Sequence, residues 1–178
     1  MVRVRQALGF GLAALGVAAA GAVAGGQGLP GLPGLQNHRT TAHLQVAWHA
    51  SPPTLTPGRP ATVVVEVTPA AGMRVYAPGQ LDYTAVSVTF DPAPPATFGD
   101  PKLPRPVEHV FGPTGERSLV YDRPFRIEVP VSVARPGKGA PALPAALTLK
   151  GTFAYQACDD TLCYKPVRLP VSLNLPIS

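Results

Sequence analysis

The sequence is poor in charged residues, aromatic residues and cysteine. Of its 178 residues, 14% are charged, 7% are aromatic and 2 are cysteines. A charge content this low, combined with 46% hydrophobic residues, argues against a disordered chain, which needs high net charge or few large apolar side chains. The length fits one domain with an appendage and excludes a multi-domain enzyme.

Several catalytic and binding signatures are missing as well. The chain has no Gly-x-Ser-x-Gly segment and no glycine-rich phosphate loop that opens a helix. Its basic residues stand singly with no aromatic platform between them, so we expect neither nucleic acid nor an anionic membrane surface as a partner. His38, His43 and His49 lack the soft ligands that copper prefers. We therefore expect no metal and no cofactor.

The first 24 residues have the layout of a secretory signal peptide. Two arginines open the segment, and a run of Ala, Gly, Leu and Val ends in small residues at Ala24. We predict a signal peptide over 1–24, a flexible Gly/Pro linker over 25–40 and one folded domain over 41–178. The domain would then be exported, in the periplasm or another extracytoplasmic space. If the segment stays uncleaved, it would instead tether the domain to the membrane.

Hydrophobic and polar residues alternate along most of the remaining chain, which is the period of a strand with one buried face. The clearest runs lie at 44–48, 63–67, 86–90, 125–133, 147–153 and 167–175, with shorter candidates at 73–76 and 117–121. Clusters of proline and glycine separate these runs, and no segment combines helical spacing with freedom from proline. We predict an all-β domain, a two-sheet sandwich of about seven or eight strands.

Cys158 and Cys163 are the main candidates for chemistry. In an exported chain two nearby cysteines favour a disulfide, and the four-residue spacer with no second pair argues against structural zinc. A purely structural disulfide closing about six residues would contribute roughly 2 kcal/mol, less than one closing a longer loop. Asp159 and Asp160 either raise the cysteine pKa values through their charge or serve only as turn residues. The residues alone leave a structural and an exchanging disulfide both open.

Four segments together carry a family resemblance. They are 72–79 with the strand 86–90 after it, 106–112, 120–131 and 155–166, in family order. Through them the chain resembles the amino-terminal periplasmic domain of the thiol:disulfide interchange protein DsbD, a family with stand-alone members called disulfide bond corrector domains. The resemblance implies an immunoglobulin-like sandwich whose cysteine pair passes reducing equivalents from a membrane thiol transporter and its thioredoxin-like domain to periplasmic partners.

The resemblance also assigns the redox pair and its surroundings. Cys158 and Cys163 match the exchanging cysteines, and Cys163 would form the mixed disulfide with a partner. Tyr76 falls on an aromatic position near the pair. The remaining residues of the predicted site environment on either side of the cysteines are Asp159, Asp160 and Tyr164.

A cap loop over the pair is implied as well. Glu108, Val110, Phe111 and Gly112 fall on the loop that shields the cysteines until a partner arrives, and Glu108 takes an acidic position there. His109 replaces a second acidic residue and could relay a proton to a leaving thiolate. Val110 stands where the family has an aromatic residue, so we expect Val110 and Phe111 to form the hydrophobic lid.

The sequence thus predicts a thiol-disulfide relay that acts on protein substrates only, as a protein-disulfide reductase-type enzyme. Its donor would be a thioredoxin-like domain or a membrane thiol transporter, and its acceptors periplasmic thiol-disulfide proteins. The first alternative is a non-catalytic β-sandwich binding module with a structural disulfide. The second is an anchored subunit of a cytochrome c biogenesis or transporter assembly.

Overall fold

The computed structural model describes residues 37–80 and 82–178, and within them every regular element is a β-strand. The predicted all-β class is therefore confirmed. None of these residues forms a helix that is long and apolar enough to cross a membrane. The predicted signal peptide and nearly all of the predicted linker lie outside the described residues.

Twelve strands occur in this described part of the chain, and they form three antiparallel sheets. In chain order they are β1 (His38–Thr40), β2 (Leu44–Ser51), β3 (Pro60–Pro69), β4 (Arg74–Tyr76), β5 (Ser87–Phe90), β6 (Ala96–Phe98), β7 (Val107–Phe111), β8 (Glu116–Tyr121), β9 (Phe125–Val133), β10 (Ala146–Tyr155), β11 (Ala157–Cys158) and β12 (Val167–Pro176). The sheet orders are β1-β2-β3-β9-β6, β12-β10-β5 and β11-β4-β8-β7.

Alternating apolar side chains build the core between the first two sheets. In β9 every second residue from Phe125 to Val133 is buried, and Val63, Val65 and Val67 of β3 are fully buried. Trp48 of β2 joins the two sheets, because its indole N–H donates to the carbonyl oxygen of Ser172 in β12 at 2.9 Å. Burial of these aliphatic and aromatic side chains is the main stabilising contribution.

Four strands were not predicted, and each lacks a long alternating pattern. β6 and β11 have three and two residues, too few to show a period. β1 lies inside the predicted linker, where His38–Thr40 pair with β2 and the Arg39 guanidinium sits 5.6 Å above the Trp48 ring. β7 was predicted as the cap loop, but it pairs with β8 as a hairpin.

The sheet β11-β4-β8-β7 positions the cysteines, and its two faces differ. Ala157, Val75 and Tyr121 are cross-strand neighbours that belong to the main core. Since successive residues of a strand point to opposite faces, their chain neighbours Cys158, Arg74, Tyr76 and Val120 occupy the other face. We call this second face the site face.

Candidate redox site

The site face carries a small cluster separate from the main core. Tyr76, Val120 and Cys158 are buried against one another, with Cys163 and Tyr83 packed at the margin. The register places Cys158 opposite Arg74, Tyr76 opposite Val120, and His109 opposite Ser118. The sheet therefore gathers, on one face, residues that four separate strands contribute.

Cys158 and Cys163 face each other across an antiparallel bridge. The amide of Asp159 donates to the Leu162 carbonyl at 3.0 Å, and the amide of Tyr164 donates to the Ala157 carbonyl at 2.9 Å. These bonds flank the cysteines, which makes them a non-hydrogen-bonded pair with side chains on the same side of the ribbon and Cα atoms typically about 4.5 Å apart. Disulfides span Cα separations of roughly 4.4–6.8 Å, so this backbone can accept one. Both residues are free thiols here.

The two thiols differ in exposure. Cys158 is 1% exposed, whereas Cys163 is partly accessible to solvent. Burial is the largest cause that raises the pKa of the Cys158 thiol, and the neighbouring Cys163 raises it further; Tyr76 and Arg74 act in the opposite direction. The sequence had suggested the two aspartates as the cause of a raised cysteine pKa. The direction holds for Cys158, but burial causes it.

Tyr76 touches the pair directly. Its hydroxyl lies 3.2 Å from the Cys163 sulfur, and burial together with the two cysteines raises the pKa of that hydroxyl far above its usual range. The ring stacks on Tyr83 with centroids 3.9 Å apart, and the Tyr83 hydroxyl donates to Glu116 at 2.8 Å. Sequence reasoning placed Tyr76 near the site but missed Tyr83 and Glu116.

Asp159 organises the turn between the cysteines. Its Oδ1 accepts the amides of Thr161 and Leu162 at 2.7 and 2.8 Å, and its Oδ2 accepts the Tyr164 hydroxyl at 2.8 Å. Four hydrogen bonds, counting one from the Thr161 hydroxyl, hold the pKa of this carboxyl far below its usual range. The interpretation of Asp159 as a turn residue is the one that the structure supports.

Asp160 pairs with an arginine that sequence reasoning did not single out. Its carboxylate lies 2.7 Å from Nη2 of Arg74, and the two side chains are 78% and 13% exposed, respectively. The other terminal nitrogen of Arg74, Nη1, is buried without a hydrogen-bond partner. Arg74 lies in the 72–79 segment, but its place beside Cys158 follows only from the register of β4 and β11.

The predicted cap residues lie on the hairpin β7–β8. Its tip turns at 112–115, where the Gly115 amide donates to the Phe111 carbonyl at 2.7 Å and Gly115 adopts φ = 70°, a conformation that favours glycine. Phe111 is half-buried and Gly112 is exposed. The hairpin is thus an extension of the site sheet.

Each side of the hairpin carries different residues. His109 lies on the site face, opposite the buried Ser118. Val110 lies on the outer side, 48% exposed, and Glu108 on that same side forms an ion pair with Arg117. The lid role predicted for Val110 and Phe111 stays a prediction.

His109 lies on the inner side of the hairpin, the side that also carries Glu116. Its Nε2 is buried without a hydrogen-bond partner. Burial is the largest cause that lowers the pKa of this imidazole; Arg74 lowers it further, and Asp160 and Asp122 raise it. The neutral ring is therefore the favoured form near neutral pH.

A groove of about 540 Å³ lies beside the site sheet. It shares Val107 and Val120 with that sheet and mixes arginine, lysine, aspartate and glutamate side chains without a cysteine. Within residues 37–80 and 82–178, no group of three or more His, Cys, Asp or Glu side chains is arranged to hold a metal ion. Both thiols of the described region are on the site face and not in this groove.

Comparison with solved structures shows a related fold. The N-terminal periplasmic domain of ScsB from Proteus mirabilis is 18% identical in sequence, with a TM-score of 0.50. The match covers 78% of this chain and 49% of the ScsB chain, so this chain spans about half the length of that structure. The N-terminal domain of Neisseria meningitidis DsbD in the reduced form is 22% identical with a TM-score of 0.44, over 64% of this chain and 77% of that one. No curated protein sequence matches the chain.

The sequence itself gives the family. Residues 41–174 match the family described as "Thiol:disulfide interchange protein DsbD, N-terminal". This range includes every strand except β1 and the last two residues of β12, together with both cysteines. The chain therefore belongs to the family of DsbD N-terminal domains.

Proposed function

We propose that this domain is a thiol-disulfide relay that passes reducing equivalents between proteins through Cys158 and Cys163. The observation that carries the proposal is the pairing of the two thiols, which face each other as a non-hydrogen-bonded pair with one buried and one accessible. Such a pair can close and open a disulfide without rearranging the sheet.

The difference in exposure supports one order for the chemistry. In the oxidised domain, a thiolate of the donor attacks the Cys163 sulfur; the bond between donor sulfur and Cys163 forms while the Cys158–Cys163 bond breaks. The electron pair leaves on Cys158, which then takes up a proton. The donor's second thiol, as a thiolate, then attacks the donor sulfur that is bonded to Cys163. This step releases Cys163 as a thiolate and leaves the donor with an internal disulfide.

The reduced domain then passes the electrons on. The Cys163 thiolate attacks the disulfide of an acceptor, and one acceptor sulfur leaves as a thiolate. Deprotonated Cys158 then attacks Cys163, which reforms the intramolecular disulfide and releases the acceptor as a dithiol. Each full cycle moves two electrons and leaves the domain unchanged.

The hairpin β7–β8 supports selectivity in this scheme. Val120 packs against Cys158 and Tyr76, and His109 lies on the same side of the hairpin. A hairpin that lifts at its Gly112–Gly115 tip would expose the buried sulfur only when a partner docks. Phe111, on the site face near that tip, would exclude small thiols, and the exposed Val110 on the outer side would meet the partner.

The partners follow from the family and the predicted export signal. We propose a thioredoxin-like domain or a membrane thiol transporter as donor and periplasmic thiol-disulfide proteins as acceptors, including those of cytochrome c biogenesis. The work would then take place in the periplasm or another extracytoplasmic space, after cleavage near Ala24.

A direct exchange assay tests this function. The oxidised domain is mixed with a reduced thioredoxin, and the thiols that appear on Cys158 and Cys163 are alkylated and counted by mass. We expect rapid conversion to the dithiol, and a trapped mixed disulfide on Cys163 when Cys158 is replaced by Ser. The Cys158→Ser, Cys163→Ser double variant is the matched blank. An oxidised domain that resists thioredoxin while remaining folded would instead indicate a structural disulfide in a binding module.

A further inference from the structure

Arg74 brings a positive charge to the site face. Its side chain is 13% exposed, and its Nη2 is held by Asp160 at 2.7 Å. Its Nη1 is buried and has no hydrogen-bond partner. A buried donor without an acceptor is costly, so Nη1 is available to an acceptor that forms on the site face.

The register shows where that acceptor would form. Cys163 pairs with Cys158 across the terminal bridge, and Cys158 pairs with Arg74 across β11 and β4. The three residues therefore form one cross-strand row. Side chains of directly opposite residues lie on the same face, with Cβ atoms about 4.5–5.5 Å apart. The Arg74 side chain thus emerges beside the buried sulfur and not beside the accessible one.

The exchange scheme creates a new anion at this position. When a partner thiolate attacks Cys163, the Cys158–Cys163 bond breaks and its electron pair leaves on the Cys158 sulfur. That sulfur is buried, and a buried anion needs a nearby cation or donors to be stable. Arginine keeps its charge at every relevant pH and offers several donors in a fixed fork.

We propose that Arg74 is a positioning residue of the relay, which stabilises the thiolate that leaves Cys158 during exchange and offers it the unpartnered Nη1. This inference rests on the proposed function. Asp160 holds the guanidinium in place by its other nitrogen, so its exposed carboxylate orients Arg74 toward the buried sulfur. A lower-pKa thiol leaves faster, so the expected effect is on the rate of disulfide opening.

The electrostatics of the site agree with this geometry. Arg74 acts to lower the pKa of the Cys158 thiol against the larger effect of burial. It also lowers the pKa of His109, which shows that the same charge reaches the inner side of the hairpin. The groups that act on the buried sulfur are thus Tyr76, Arg74 and, when deprotonated, Cys163, while Asp160 pairs with Arg74.

The sharpest test isolates the buried thiol. In a Cys163→Ser variant of the full domain, Cys158 is the only thiol, and its thiolate is followed by absorbance near 240 nm as the pH is raised. Adding Arg74→Met should move this titration to higher pH, whereas Arg74→Lys should restore part of the shift. Arg126→Met is the matched control, since Arg126 also pairs with one carboxylate, Glu66 at 2.9 Å, but lies on the first sheet. An Arg74→Met titration that coincides with the control would overturn the inference.

A second variant covers the case in which Arg74→Met does not fold. Asp160 is exposed, so Asp160→Ala should leave the fold intact while releasing the guanidinium from the position beside the buried sulfur. We expect the Cys158 titration to move to higher pH, and a shift to lower pH or none contradicts the proposal.

Exchange kinetics separate this inference from the function on which it rests. With both cysteines present, opening of the oxidised domain by thioredoxin should slow by about threefold to tenfold in Arg74→Met and remain unchanged in Arg126→Met. If the wild-type domain does not exchange at all, the proposed function fails. If it exchanges and Arg74→Met matches it in both rate and titration, only the role of Arg74 fails.

Discussion

The hydroxyl of Tyr76 lies 3.2 Å from the sulfur of Cys163, and its hydrogen bonding also lowers the pKa of the Cys158 thiol. One phenol therefore contacts both halves of the cysteine pair. Because Tyr76 also packs with Val120 and stacks on Tyr83, it connects the sulfurs to the hairpin β7–β8. A partner that moves the hairpin would also disturb the thiols.

Replacing Tyr76 by Phe should make the Cys158 thiolate harder to form. The stacked ring stays, but the hydroxyl that favours the thiolate is lost, so we expect the Cys158 titration to move to higher pH in the Cys163→Ser background. Absorbance near 240 nm against pH measures this. Tyr121→Phe is the control, since it also loses one hydroxyl hydrogen bond, to the Pro104 carbonyl at 2.8 Å. Tyr121→Phe should lower the free energy of unfolding by about 1 kcal/mol and leave the Cys158 titration unchanged.

His109 should make the stability of the reduced domain depend on pH. Its folded-state pKa is lowered, by burial first and then by Arg74, so the unfolded chain binds more protons than the folded one as the pH falls. The free energy of unfolding should be highest above the pKa of histidine in the unfolded chain, about 6.5. It should decrease as the pH falls from that value through the lower pKa of the folded state. Denaturant unfolding at several values between about pH 5 and about pH 8 measures this decrease in the free energy of unfolding.

Two variants isolate the contribution of His109. His109→Gln should flatten the part of the pH profile just below the unfolded His pKa, whereas His49→Gln, at an exposed position of β2, should not. Asp160 and Asp122 act on the same imidazole and raise its pKa, so Asp122→Asn should steepen the decline. A profile that His109→Gln leaves unchanged would contradict the buried, neutral imidazole.

Removing the Asp159 carboxylate should loosen the loop between the cysteines. Asp159→Ala loses the acceptor for the Thr161 and Leu162 amides, so hydrogen exchange at these two amides should accelerate by about tenfold or more. Asp159→Asn keeps an acceptor oxygen, so its exchange rates should lie between those of the unchanged protein and those of Asp159→Ala. Equal exchange rates in all three proteins would show that the turn does not depend on this side chain.

Gly151 should tolerate no side chain. A Cβ at this position would lie 2.2 Å from the Thr89 carbonyl oxygen, where β10 pairs with β5. Gly151→Ala should therefore destabilise the domain by roughly 1–3 kcal/mol. Gly137→Ala, where a Cβ meets open space, is the control. Thermal unfolding compares the two, and equal midpoints would contradict the close β5–β10 approach.

Strand alternation made the larger part of the fold predictable. The predicted runs that became β2, β3, β9, β10 and β12 alternate over about five to nine residues, and one buried face follows directly from that period. β6 and β11 are too short to show a period, and β7 is mostly exposed, so local sequence could not reveal them.

The sulfurs and Tyr76 were predictable from the sequence, but Arg74, Tyr83 and Glu116 were not. Cys158 and Cys163 lie five residues apart and carry their own chemistry. Arg74 lies 86 residues from its partner Asp160, so only strand register reveals its place beside the pair. For Asp159 the sequence left an electrostatic role and a turn role open, and its hydrogen bonds to two turn amides favour the turn role.

The reduction potential of Cys158–Cys163 tests the central claim most directly. The mature domain is equilibrated in a series of thiol redox buffers, the free thiols are alkylated and counted by mass, and circular dichroism follows the fold. The account predicts a potential above about −300 mV with the fold intact in the reduced state. A potential well below about −300 mV, or unfolding on reduction, would contradict it and make the pair a structural disulfide.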